Sequence, residues 1–182
     1  MARRTIVIYG HPVLRQRSKA IREYDDSLRL LVADLFETMA VYQGVGLAAN
    51  QVGVAQRVFV IDVPREDGTH DKFAVVNPQL SERKGRQRDE EGCLSMPGIA
   101  EEVERAREVR LRGFDATGQP IDRRVSGFLA RAVQHEADHL DGVLFTDRLS
   151  PLKKQFLRRD LEALARGELP EGYHPASGGG AI

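Results

Sequence analysis

The chain has a single cysteine, Cys93, among 182 residues. A disulfide framework is therefore excluded, and a reducing compartment is favoured. An excess of charge is also missing. The 27 Lys and Arg residues balance 27 Asp and Glu residues, for a formal net charge of zero. A large nucleic-acid-binding face is not expected from that balance, although it leaves room for a small basic patch. Long apolar runs are absent too. The run Thr5-Ile6-Val7-Ile8-Tyr9 is too short for a signal-peptide core, and no stretch approaches a membrane span. These absences give the expectation of a cytoplasmic protein with no membrane partner. Neither a repeat nor a dividing linker is visible. The expected organisation is one domain over residues 1–169 and a tail over 170–182, rich in glycine and expected to be disordered.

The hydrophobic share of 41% is ordinary and supports one packed core. Leu28, Leu31, Val32, Leu35, Phe36 and Met39 recur at helical spacing and predict a helix over about Ser27–Tyr42. Asp25 or Asp26 is placed to cap it and Gly44 to end it. Val58–Ile61 and Phe73–Val76 are short β-branched runs, each followed by a proline (Pro64, Pro78), and read as buried strands. Val103, Val109–Leu111 and Phe114 suggest further strands, broken at Gly113 and at Ala116-Thr117-Gly118. A second helix is predicted over Gly127–Leu140, between a Ser126 cap and a Gly142 stop. A third starts at Ser150-Pro151, with Leu152, Phe156, Leu161 and Leu164 as its apolar face. The order predicts an α+β domain: short, mostly antiparallel strands around a central helix, with an N-terminal and a C-terminal helix.

The predicted second helix contains His135-Glu136-Ala137-Asp138-His139. Helical residues four apart lie nearly one above the other, so both imidazoles can reach one ion. Glu136 sits between them in azimuth, placed to touch a water beside that ion. A catalytic ion needs a third protein ligand and an open position. A third histidine three residues after Gly142 would serve, but that place is Phe145. Glu162 or Glu168 is an alternative, although carboxylates on helix faces are usually solvated. Cys93 is the better candidate. It follows Gly92, which permits close backbone approach, and a thiolate is stabilised beside a dication. Upstream, Gly44-Val45-Gly46-Leu47-Ala48-Ala49-Asn50-Gln51-Val52-Gly53 forms a tight connection in which the Gln51 amide can donate to a developing oxyanion.

Three stretches together resemble the motifs of the peptide deformylases: Gly44–Gln51, Glu91-Gly92-Cys93-Leu94-Ser95, and His135-Glu136-x-Asp138-His139-x-x-Gly142. His11-Pro12-Val13-Leu14 and the helix after it are similar too, and the likeness covers about residues 5–165. It implies removal of the formyl group from N-formyl-methionyl peptides by one divalent ion on Cys93, His135 and His139. The ion it implies is Fe(II), with zinc, nickel or cobalt able to take the place. It further implies Glu136 as proton shuttle, with the Gln51 side chain and the Leu94 N–H as oxyanion donors. Gly46 and Gly92 would hold the peptide, while Val45, Leu94 and Ala132 would line the methionine pocket. Asp138 would pair with Arg105 behind the metal ligands. Arg131, beside Ala132, must either point away from that pocket or narrow it. The basic residues Lys153, Lys154, Arg158 and Arg159 of the third helix are either a solvated face or, by the resemblance, a ribosome contact.

Overall fold

The apolar stripes and runs become three α-helices and seven strands in the computed structural model, which describes residues 2–171 and 173. Helix α1 (Asp26–Val41) starts where Asp25 accepts a hydrogen bond from the Leu28 N–H at 3.0 Å. It ends where the Gly44 N–H donates back to Met39. Its bounds lie one residue before the expected ones at each end. Strands β1 (Gly46–Ala48), β2 (Val58–Pro64), β3 (His70–Lys84), β6 (Glu108–Phe114) and β7 (Pro120–Ser126) form an antiparallel sheet in the order β1-β2-β3-β6-β7. Strands β4 (Gln87–Gly92) and β5 (Ala100–Arg105) make a separate antiparallel hairpin. Helices α2 (Gly127–Leu140) and α3 (Pro151–Ala165) complete the α+β fold.

The alternation of side chains along β2 decides the layering. Val58 and Val60 point to one side, where they pack with Leu28, Leu31, Leu35 and Met39 of α1. Phe59 and Ile61 point to the other, against Ala130, Val133, Ala137 and Leu140 of α2. Because both faces are covered, β2 reads as a continuous apolar run rather than an alternating one. A third apolar cluster joins Cys93, Met96, Ile99 and Val103 to Leu144, Phe145, Leu149 and Leu164. It ties the β4–β5 hairpin to the C-terminal segment.

Four local expectations are corrected. Strand β3 does not stop before Pro78. It runs through it for 15 residues, with a register shift against β6 between Val76 and Gln79 that accommodates a residue without an N–H. Gly113 does not break β6. A Cβ there would stand 2.7 Å from Val75 Cγ1 and 2.8 Å from the Val76 carbonyl, so glycine permits close approach inside the strand. Strand β4 was not expected, since Gln87-Arg88-Asp89-Glu90 carries no apolar signal. In α3, Leu157, Leu161 and Leu164 face the core, while Leu152 and Phe156 are exposed. Of the tail expected over 170–182, only Pro170, Glu171 and Tyr173 fall among the described residues, and the rest of that expectation lies outside them. Among the described residues no helix is long and apolar enough to cross a membrane.

Candidate metal centre

Helix α2 packs on the sheet and is bonded to the hairpin through Arg131, His135 and Asp138, and nearly all of its second half is buried. His135 and His139 lie one turn apart on it, with their Nε2 atoms 3.2 Å apart. Cys93, just after β4, brings Sγ to 3.3 Å from His139 Nε2. All three ligand atoms lie within 4.8 Å of one another, and all three residues are buried. Ligand bonds of about 2.0–2.3 Å in a tetrahedral arrangement would set such atoms roughly 3.3–3.6 Å apart. The donor set and its spacing therefore fit a divalent ion with a fourth position left for water. Burial and the neighbouring His135 hold the pKa of His139 well below the usual imidazole value. Burial pushes His135 the same way, but the Cys93 thiol and the Glu91 carboxylate outweigh it and raise that imidazole to about 10.

Glu136 is buried beside β1, and burial pushes its carboxyl up to about 7. Its Oε2 has no hydrogen-bond partner among the described residues. The neighbouring position on β1 is Gly46, where a Cβ would overlap the Glu136 carboxyl. Gln51 is held by its Oε1, which accepts from the Ala48 N–H at 2.9 Å. That bond turns its Nε2 toward the centre, 3.5 Å from Cys93 Sγ and 3.4 Å from Ser95 Oγ. Leu94 is buried next to Cys93, and its side chain approaches Gly44. Val45 is half-buried, Gly46 lies on the edge strand β1, and Gly92 ends β4. Ala132 is fully buried in the cluster between α2 and the sheet. Arg105 Nη1 donates to Asp138 at 2.5 Å, and Arg148 grips the same carboxylate. Glu162 and Glu168 instead pair with Arg158 and Arg166 on the surface, which removes them as ligands. Phe145 stacks on the His135 ring, with centroids 6.1 Å apart.

One residue of the centre went unassigned in the sequence. Glu91 is completely buried, yet it accepts from Arg105 Nε at 2.7 Å, Arg105 Nη2 at 2.8 Å and Arg131 Nη1 at 2.7 Å, and meets His135 Nδ1 at 3.0 Å. Burial alone would raise its pKa, but Arg105 and His135 outweigh burial and keep the carboxyl ionised, well below the usual range. A signal was present: Arg131 interrupts an apolar stretch of α2, and a buried cation demands a buried anion. The same contacts settle the direction of Arg131. It turns to the hairpin, donating to Glu91 and to the Val103 carbonyl at 3.1 Å.

Two imidazoles and a carboxylate on one buried helix, with the Cys93 sulfur brought beside them from the turn after β4, are the donor set of a metal-dependent hydrolase centre. Comparison with known proteins narrows the class. The family model described as "Polypeptide deformylase" matches residues 3–155. A peptide deformylase of Alkalilimnicola ehrlichii is 46% identical over 166 residues, covering 91% of this chain and 93% of the relative. The crystal structure of a peptide deformylase from Legionella pneumophila superposes with a TM-score of 0.82 at 40% identity, covering 92% of this chain and 98% of that one. That of Ehrlichia chaffeensis in complex with actinonin gives 0.84 at 35% identity, covering 92% and 99%. The chain belongs to the peptide deformylase family. It is a metal-dependent hydrolase that removes the N-terminal formyl group from nascent polypeptides and releases formate.

Proposed function

We propose that Cys93, His135 and His139 hold a single Fe(II), on the family resemblance. The donor set of one sulfur and two imidazoles accepts zinc, nickel or cobalt as well. The observation that carries this assignment is the convergence of the three buried ligand atoms. Such an ion, when bound, lowers the pKa of water toward 7 and so supplies a nucleophile near neutral pH. Glu136 takes the proton of the attacking water and returns it to the amine that leaves. The Gln51 Nε2–H and the Leu94 backbone N–H donate to the oxyanion that develops on the formyl carbonyl. Support for the Gln51 role comes from its anchored Oε1, which leaves only the Nε2 end facing the centre.

The peptide is bound in an extended pose along the backbone of Gly46 and Gly92, in the manner of an added strand. Both glycines lie at strand edges beside the centre, which supports this placement. Val45, Leu94 and Ala132 line the slot for the methionine side chain. Asp138, bridged to Arg105, and Arg105, bridged in turn to Glu91, hold the helix against the hairpin from behind the ligands. Its work belongs in the cytoplasm, where N-formyl-methionyl chains emerge.

The deciding experiment is formate release from a formyl-methionyl peptide by anaerobically purified protein, with metal analysis of the same sample. Glu136→Ala should keep the metal and lose turnover. Activity near the unaltered level would remove Glu136 from proton transfer, and full metal occupancy in Cys93→Ser with unchanged turnover would remove Cys93 from the ligand set. A ribosome contact through α3 is a second reading, favoured by the exposure of Leu152 and Phe156 beside Lys154, Arg158 and Arg159. Arg158→Glu with Arg159→Glu should weaken ribosome co-sedimentation and flatten its salt dependence. Deleting the helix is a poorer test, because Leu164 is part of the core.

A further inference from the structure

We infer that Arg131 is a positioning residue that sets the separation between the cysteine-bearing hairpin and the histidine-bearing helix, and thereby the affinity of the centre for its ion. The inference rests on the ligand set proposed above. Arg131 precedes His135 by four residues on α2, so its side chain emerges from the same helical face one turn earlier. Glu91 precedes Cys93 by two residues at the end of β4. The bond from Arg131 Nη1 to Glu91 Oε1 at 2.7 Å is therefore a brace between the two elements that supply the ligands, set one step behind them. The same nitrogen reaches the Val103 carbonyl on β5 at 3.1 Å, which fastens the brace to both strands of the hairpin.

Counting the acceptor sites of Glu91 shows what this bond adds. A carboxylate offers about four lone-pair sites. Arg105 takes one on each oxygen, Arg131 a second on Oε1, and His135 Nδ1 a second on Oε2. With all four filled, the carboxylate cannot turn without losing a charged bond in a fully buried place. The oxygen facing His135 Nδ1 is held still, and the ring's Nε2 is held toward Cys93 and His139. Without Arg131, the Arg105 fork still binds Glu91 but comes from β5, within the hairpin, and no longer ties it to α2 at this turn. The Asp138–Arg105 bond and the His135–Glu91 bond remain as the other ties, and the second joins a ligand ring to the hairpin with no brace behind it. Arg131 is 1% exposed, and its Nη2 has no partner among the described residues. Both hydrogen bonds that the guanidinium makes go to the hairpin.

The test is the dissociation constant for Co(II) of unaltered protein, Arg131→Met and Arg131→Lys, measured by chelator competition well below each protein's unfolding temperature. The visible Co(II) bands and the thiolate-to-metal charge-transfer band are recorded in parallel. Arg131→Met should weaken binding by roughly 10–100-fold, the typical cost of losing a partner behind a metal ligand, and should shift the Co(II) bands. Arg131→Lys, which keeps the charge but carries it on a shorter stem that must stretch to reach Glu91 and the Val103 carbonyl, should fall between. If Arg131→Met does not fold, the lysine variant alone carries the test, and unaltered affinity in it overturns the proposal. A lowered unfolding temperature with unchanged affinity and spectrum means a purely structural role and also overturns it. Unchanged affinity with a raised KM for formyl-methionyl peptide would place Arg131 in substrate binding instead. Unaltered protein that binds Co(II) without a thiolate band would sink the ligand assignment itself, a separate failure.

Discussion

At position 46 any side chain would compete with the Glu136 carboxyl, the proposed proton shuttle, for one space. A Cβ on Gly46 would lie 2.8 Å from both Cγ and Cδ of Glu136, whose carboxyl would have to move away. Displacement by about 1 Å costs on the order of 10²-fold in rate. Gly46→Ala should therefore lower kcat by roughly that factor while leaving metal content unchanged, as read by formate release and metal analysis together. Gln51 gives a matching expectation on the oxyanion side. Its Oε1 is anchored by the Ala48 N–H, so the mobile end is fixed before substrate arrives. Gln51→Leu keeps the volume and removes the donor, and kcat should fall by about 10²–10³-fold with KM little changed. An unchanged kcat would exclude Gln51 from oxyanion binding.

The elements are held in place at their ends, and α2 is the one that matters most. Its end is fixed by Gly142, which has φ +73 and whose missing Cβ would lie 2.5 Å from the Arg15 carbonyl oxygen. An alanine there would force both an unfavourable backbone region and a clash with the turn Pro12–Arg15. The expected cost is roughly 2–4 kcal/mol, seen as a lower unfolding temperature with the metal site still intact in the folded fraction. How much of this was legible in the sequence follows from the same elements. Helices α1 and α2 announced themselves because periodicity and caps agreed, and the candidate metal ligands, which the structure brings together, followed from helical spacing together with the single cysteine. Strand β4 did not, since its side chains are mostly exposed and its pairing with β5 is carried by backbone bonds that no composition reveals. Glu91 was hidden for the opposite reason. A glutamate that is 0% exposed is recognisable only from its three cationic or protonated neighbours, which come from β5 and from two turns of α2.

At the scale of the molecule, zero net charge conceals many local pairs, and their carboxylates decide its behaviour in acid. Asp71, on β3, is the clearest case outside the centre. Arg65 grips it with two hydrogen bonds and Arg123 of β7 adds a third, so the Arg65 bonds first and Arg123 next pull its pKa down to about 2. Asp34, Glu82, Asp122 and Asp147 are lowered as well, Asp34 chiefly by the Ala2 N–H and the others by neighbouring arginines against the opposing effect of burial. A carboxylate whose pKa is lower folded than unfolded stabilises the native state above its unfolded value, about 4. That stability is lost as pH falls toward the folded value. Stability should therefore be level between pH 5 and pH 7 as far as these groups are concerned, and should fall between about pH 4 and pH 2. Asp71→Asn removes one contributor. Because water reaches the arginine ends, its worth near neutral pH is about 1 kcal/mol rather than the full linkage value. Denaturant unfolding of the two proteins at a series of pH values should show a gap of that size at pH 6 that closes by pH 2. A gap that stays constant down to pH 2 would mean that Asp71 contributes by packing and not by charge.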